Sequence, residues 1–242
     1  YSVYYFSNLL GLNIYVSIIL GIFIAGLIGF LINKLVYSKL RERKASSMIF
    51  LVASLGVFTV LQAIIAILFS SQFQTINRGG GEERIFQIIG GTITGTQLII
   101  FISGLVIMAI LAFVLKNTKF GKAVRAISDD EEVSKITGIN TEKIISYVFF
   151  IGSGIAGFAG ILIGFDTGIE PTMGFSLLLK GIIAAIIGGV GNIYGGVLGA
   201  FMLGFIENFG IWKISGEWKD TIAFLVLIIF LLFRPTGILG RK

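Results

Sequence analysis

The side chains that most often do chemistry in proteins are missing from this sequence, which has no histidine and no cysteine. That removes imidazole as a base or metal ligand. It also removes thiolates as nucleophiles, zinc ligands and disulfide partners. Carboxylates and amines remain. Lys180 and Glu207 flank a glycine-dense run, Gly188-Gly189-Val190-Gly191-Asn192-Ile193-Tyr194-Gly195-Gly196. Ionisable groups in such surroundings are functional candidates by default, although Lys180 can equally extend its amine to a membrane surface and Glu207 lies close to a helix end. Asp129, Asp130, Glu131 and Glu132 form a second charged group. Gly152-Ser153-Gly154-Ile155-Ala156-Gly157 has the glycine spacing of a dinucleotide loop, which requires a preceding strand. Here it lies inside an apolar run, where Ser153, Gly157 and the Gly160 to Gly164 spacing suit helix contact instead. No Gly-x-x-x-x-Gly-Lys-Ser/Thr occurs, so the sequence offers no phosphate-binding loop of this type. The residues point to no cofactor, no metal and no enzyme.

The elements that carry these residues are long apolar blocks. Hydrophobic residues make up 55% of the 242-residue chain and charged residues 13%, against roughly 25% charged in a soluble domain. The blocks are apolar on all sides, so lipid suits them better than a water-soluble core. Crossing a bilayer takes ~20 apolar residues. Five stretches meet or approach that length: about Leu12–Val36, Met48–Phe69, Gln97–Leu115, Ile144–Phe165 and Thr221–Phe233. The last is short, so it begins earlier or is tilted. The net charge of +6 sits in short loops beside these spans, which fits membrane orientation rather than nucleic-acid binding. Trp212 and Trp218 read as interfacial anchors. The chain opens on Tyr1 rather than Met, and the expectation is a single transmembrane domain over residues 1–242 that lacks its N-terminal spans.

Lys and Arg in the loops set the direction of each crossing. Lys34, Lys39, Arg41, Arg43 and Lys44 place the first loop in the cytoplasm, and the six basic residues of Lys116–Lys143 do the same for the third. The loop from Ser70 to Thr96 balances Arg78 and Arg84 with Glu82 and Glu83, and the loop from Asp166 to Met173 has Asp166 and Glu170 with no basic residue. Both read as external. Arg234, Arg241 and Lys242 put the C-terminus in the cytoplasm. Parity then constrains Phe175–Phe209, because the path from Glu170 outside to Arg234 inside needs an odd number of crossings. The final span supplies one, so Phe175–Phe209 supplies an even number. Glycine at the density of Gly188–Gly196 unwinds a helix, and Asn192 tolerates turn geometry. The expectation is two half-helices meeting at a glycine turn near or beyond the membrane midplane. Such broken helices build transport sites. A tight hairpin with a purely structural turn is the alternative, and Gly191, Gly195 and Gly199 are spaced for close packing.

The third loop carries its own helix. Ser128 precedes Glu131 by three residues, the spacing of a capping box. Asp129, Asp130 and Glu131 then fill a first turn, where the helix dipole favours negative charge, and Gly138 stands where a helix stop is expected. This predicts a helix over Asp129–Thr137 with Val133 and Ile136 on one face, an amphipathic surface that invites a partner. The alternatives are a solvated loop and a helix lying on lipid, the latter disfavoured by four successive acids.

Gly121-Lys122-Ala123-Val124-Arg125-Ala126-Ile127-Ser128-Asp129-Asp130 through Gly138-Ile139-Asn140 resembles the cytoplasmic loop of branched-chain amino acid ABC importer permeases. The similarity continues through Ile151–Gly160, Lys180–Gly195, Lys219-Asp220 and Arg234-Pro235-Thr236-Gly237-Ile238-Leu239-Gly240. The closing motif and Lys180 resemble the first of the family's two permease types. Tyr194 stands where the family commonly has proline, and the family's usual opening spans are absent. The resemblance implies an all-α, polytopic transmembrane bundle with a broken-helix hairpin and a cytoplasmic coupling helix, lying in the cytoplasmic (inner) membrane. It implies ATP-binding subunits docking through Gly121, Arg125, Ser128, Asp129, Glu131, Val133, Ile136 and Gly138. It also implies a second permease subunit, an extracytoplasmic substrate-binding protein, and a pathway passing Gly188, Gly189, Gly191, Asn192 and Gly195. The implied cargo is branched-chain or other hydrophobic amino acids. Permeases for sugars and nucleosides share the broader fold and remain the alternative.

Overall fold

The computed structural model describes residues 1–76, 85–88, 91–212, 215–234 and 236–240. Arg78, Glu82, Glu83, Arg84, Arg241 and Lys242, used above for orientation, lie outside the described residues. A short helix α1 (Ser2–Tyr4) runs into a π-helical turn, Tyr5–Leu9. Helix α2 (Ile14–Ile32) continues through a second π-helical turn (Asn33–Tyr37) into α3 (Ser38–Glu42). Then follow α4 (Ser47–Phe69), strands β1 (Ile85–Ile88) and β2 (Gly91–Thr94), α5 (Gly95–Asn117), α6 (Lys119–Asp129), α7 (Glu131–Ile136), α8 (Thr141–Thr167), α9 (Met173–Gly188), α10 (Ile193–Ile211) and α11 (Lys219–Phe233). The architecture is an all-α, multi-pass bundle. Among the described residues, five helices are long and apolar enough to cross a membrane: Ile14–Glu42 taken as one, α4, α5, α8 and α10.

Four of these match spans expected from the sequence. The fifth is α10, the second arm of the glycine-interrupted stretch, whereas the expected last span is α11, with 15 residues. It begins at Lys219, two residues before the sequence suggests, and reaches about 22 Å at 1.5 Å per residue. The antiparallel ribbon of β1 and β2, pairing Ile85 with Thr94 and Ile88 with Gly91, was not expected. Its Ile and Thr content suits strands, but the stretch is too short to show a clear period.

The chain forms two compact units, residues 1–106 with 113–171, and residues 107–112 with 172–242. In the first, α2 and α8 pack along a seam of small residues. A methyl group at Gly29 would strike Ser153 Oγ, and one at Gly157 would strike Ala25 Cβ. One at Gly26 would stand 3.0 Å from the Phe150 ring and carbonyl. In lipid no hydrophobic force drives helices together, so such close van der Waals contact is what joins them. The Ser153 and Gly157 spacing therefore serves packing, as expected. Helix α4 has no buried residue. It is held at one end by Tyr37, whose hydroxyl donates to Ser54 Oγ at 3.0 Å and whose ring stacks on Phe50.

Hydrogen bonds tie the loops of this unit in the pairs that the charge alternation requires. Gln74 and Ile169 exchange backbone N–H bonds of 2.9 Å in both directions, joining the two loops read as external. At the other end, Ser38 and Arg41, from the first loop read as cytoplasmic, meet Glu142 at the close of the third.

In the second unit α9, α10 and α11 enclose a core of Ile183, Ala184, Ile187, Leu203, Ala223 and Val226. The hairpin of α9 and α10 closes by backbone contact. A side chain at Gly188 would strike the Gly195 carbonyl, and one at Gly199 the Ala184 carbonyl.

Candidate functional site

The loop between α5 and α8 is a helical elbow. Thr118 opens α6, its hydroxyl accepting the Gly121 N–H at 3.0 Å and donating to the Val114 carbonyl at 2.6 Å. Gly121 is buried against the Val114 and Leu115 backbone, where a side chain would collide. Helix α6 then runs through Ser128 to Asp129, so Ser128 does not cap a helix. The expected capping box is replaced by one residue: Asp130 leaves helical geometry (φ −157°, ψ 114°) and its carboxylate accepts the Val133 N–H at 3.0 Å. The physical reason lies in the amphipathic pattern of Phe120, Ala123, Val124 and Ile127, which carries α6 past the expected start of the next helix. Helix α7 therefore spans Glu131–Ile136, two residues later at its start than Asp129–Thr137.

The stop falls where expected. Gly138 has φ +87°. Its N–H donates to Lys135 O and the Ile139 N–H to Ser134 O, each at 3.1 Å. This doubly bonded arrangement satisfies the last carbonyls. Helix α7 packs against α6 and α8 through the inward side that buries Ser134, 3% exposed. Val133 and Ile136 point away, 54% and 85% exposed. Glu131 and Lys135 pair across one turn at 2.7 Å, and the Glu131 carboxylate holds the Lys135 amine above its ordinary value. Of the expected docking residues, Asp129, Glu131, Val133, Ile136 and Gly138 gather on or beside α7. Gly121, Arg125 and Ser128 sit on α6, with Arg125 and Ser128 exposed.

A polar network under this elbow was not apparent in the sequence. Arg41 donates through Nε to Glu142 Oε1 and through Nη2 to Glu142 Oε2, both at 3.2 Å, and Nη2 also donates to Asn33 Oδ1 at 2.9 Å. Asn33 is fully buried in the π-helical turn and donates to Ser146 Oγ at 2.9 Å. Ser38 donates to Glu142 at 3.0 Å. The wide π turn, a feature frequent at functional sites, positions Asn33 and Arg41 toward the first turns of α8.

The glycine turn is a clasp. Gly189 and Gly191 adopt φ of +102° and +90°, and Asn192 caps α10 by accepting the Gly195 N–H at 3.2 Å. The chain after α11 returns to this turn. Ile238 and Leu239 donate their N–H groups to the Ile187 and Gly188 carbonyls at 2.9 and 3.0 Å. Asn192 Nδ2 donates to the Leu239 carbonyl at 3.1 Å. Carbonyls left open where α9 ends are thus satisfied by the tail. A side chain at Gly189 would strike Gly240 N. Of the five glycine-turn residues expected along a pathway, Gly188, Gly189 and Gly195 are in backbone contact. Asn192 is the cap, and Gly191 has open space around it.

Lys180 and Glu207, separate candidates in the sequence, meet at one point in the structure. The Lys180 amine stands 3.3 Å from Glu207 and 3.3 Å from Asp220 Oδ1, joining α9, α10 and α11. Asp220 was visible in the sequence only as part of a shared motif. Among the described residues no cluster of acidic side chains has the makings of a metal site.

Residues 1–231 match the family model described as branched-chain amino acid transport system / permease component. The chain is 34% identical over 227 residues to the high-affinity branched-chain amino acid transport system permease protein BraD of Pseudomonas aeruginosa, covering 91% of this chain and 72% of that one. It is 33% identical over 224 residues to LivH of Escherichia coli, which has the same description, with the same coverage. The ribose import permease protein RbsC of Haemophilus influenzae is 26% identical over 199 residues, 79% of this chain and 61% of its own. No solved structure matches.

Proposed function

The chain belongs to the family of permease components of branched-chain amino acid transport systems, and on that premise we propose that it imports branched-chain or other hydrophobic amino acids across the cytoplasmic membrane as the permease of an ATP-driven transporter. In this reading α7 and the loop that bears it face the cytoplasm, as does the C-terminus. Separate ATP-binding subunits grip α7, a second permease subunit completes the membrane part, and an extracytoplasmic binding protein delivers the cargo. The observation that supports the docking role is the exposure of Val133 and Ile136 on a helix capped at both ends. Two apolar side chains facing water on a rigid short helix are suited to burial by a partner.

The elbow also has a route for force. Helix α7 packs on α8, α8 meets α2 across the seam of Gly29, Ser153, Ala25 and Gly157, and Arg41 locks α3 to Glu142. Interfaces packed this closely move as bodies rather than deform. A pull on α7 therefore reaches two spans together. In the same reading the pathway passes the glycine turn, with Gly191 its least encumbered member.

Uptake by the assembled transporter in proteoliposomes tests the cargo. Labelled leucine, isoleucine and valine should enter in an ATP-dependent way, and excess ribose should not compete. Ribose uptake without leucine uptake would favour the sugar reading that the similarity to RbsC raises.

A further inference from the structure

Lys180, Glu207 and Asp220 make an unbalanced cluster, with one ammonium facing two carboxylates. Glu207 is 9% exposed, and its Oε1 accepts no hydrogen bond although the Lys180 amine lies 3.3 Å away. Asp220 shares the same ammonium from a more open position, its side chain 64% exposed. The cluster therefore has a surplus negative charge on its exposed side and a lysine already held by a buried partner. Beside it lies a cleft of 180 Å³ into which both Lys180 and Asp220 face, walled by Phe175, Leu179, Ile183 and Phe224, with Ser176 at its rim. An apolar cleft with a few convergent polar groups is the usual form of a small-molecule site.

We propose that this cleft binds the free zwitterionic amino acid. The Lys180 ammonium takes the α-carboxylate, the Asp220 carboxylate takes the α-ammonium, and an aliphatic side chain lies against Phe175, Leu179, Ile183 and Phe224. In the empty cleft, Lys180 is shared between Glu207 and Asp220. A zwitterion inserts between Lys180 and Asp220 and replaces one ion pair by two, while Glu207 keeps Lys180 in place from behind. The lysine's three N–H donors allow it to hold Glu207 and the ligand together. A sugar offers neither charge and would have to break the Lys180–Asp220 pair without compensation, a penalty that discriminates strongly against it. This inference rests on the amino-acid reading above and specifies where that cargo is recognised.

Equilibrium binding of labelled leucine to the assembled transporter in lipid nanodiscs, without the soluble binding protein, tests it. Leucinamide, which lacks the carboxylate, and 4-methylpentanoate, which lacks the ammonium, serve as competitors. Both should compete at least tenfold more weakly than leucine. Asp220→Asn, at an exposed position that a folded protein tolerates, should weaken leucine binding about tenfold and abolish the preference for leucine over 4-methylpentanoate. The pair Lys180→Met with Glu207→Gln removes the buried charges together, and should abolish the preference for leucine over leucinamide. Both variants should keep the wild-type elution profile in detergent. Unchanged leucine affinity and unchanged preferences in both variants would overturn the site. Equal weakening toward all three compounds would overturn it as well, since a merely structural cluster behaves that way. Leucine uptake by the wild type, measured separately, distinguishes failure of this site from failure of the amino-acid reading.

Discussion

The glycine turn and the α7 elbow are both short, polar-flanked interruptions between apolar helices, yet the protein finishes them in opposite ways. At the turn the open carbonyls where α9 ends are met within the chain. The tail from Gly237 to Gly240 covers the end of α9, and Asn192 holds both the start of α10 and the Leu239 carbonyl. At the elbow the helix ends are capped as well, by Asp130 and Gly138, but Val133 and Ile136 are left exposed. Glycine shows the same contrast. Gly188, Gly195 and Gly199 are small so that backbones can touch, whereas Gly138 has nothing within 4 Å and is needed for its positive φ. Glycine therefore marks close backbone approach at one place and a helix stop at the other. Of the two, the segment with fewer glycines is the one that the proposed reading gives to a partner.

Substitutions can break this comparison, and the largest effect belongs to the clasp. Gly199→Leu puts a side chain into the Ala184 carbonyl, which is backbone and cannot rotate away. The protein should be lost from the monodisperse fraction in detergent chromatography, and a wild-type profile would show that the hairpin is not closed as described. Next is Val133→Asp with Ile136→Asp. This double change should reduce ATP-dependent uptake more than tenfold, because each aspartate would place a charge in a desolvated contact, while the amount of protein in the membrane stays unchanged. Co-purification of the ATP-binding subunit at the wild-type level would count against docking through α7.

Smaller effects sharpen the picture. Arg41→Met leaves the buried Asn33 Oδ1 without its donor and should lower stability by about 1–3 kcal/mol, read as an earlier thermal transition in detergent. Asp130→Ala removes only a cap and should cost about 1 kcal/mol. It should also reduce uptake modestly, by loosening α7 without altering its exposed face. Gly191→Ala meets no neighbour but adopts a strained φ. It should leave assembly intact, and a selective loss of uptake would support a pathway role for the turn.

Composition alone fixes the membrane class, because apolar blocks of span length have no other solvent. The loop charges group four of the loops into two pairs, and hydrogen bonds between Gln74 and Ile169 and between Arg41 and Glu142 join the members of each pair. Local signals worked where local forces decide, as at Gly138. They failed at Ser128, where the amphipathic run of α6 outcompeted a capping pattern. Contacts between distant residues were not legible. Asn33 looks like an ordinary span terminus until Ser146 and Arg41 are brought to it. Lys180 and Glu207 were each visible as unusual charges, but nothing in their spacing showed that α11 would bring Asp220 to the same point. The ribbon of β1 and β2 was hidden for a similar reason, since four-residue strands are too short for periodicity to identify.

The proposed role requires above all that α7 face the cytoplasm as the grip for a separate ATP-binding subunit. The chain has no cysteine, so Ile136→Cys introduces its single thiol at the most exposed apolar position of that helix. A membrane-impermeant maleimide should fail to label it in intact cells, label it in inside-out vesicles stripped of the ATP-binding subunit, and be blocked when that subunit is restored. Labelling in intact cells, or labelling undiminished by the restored subunit, would contradict the account.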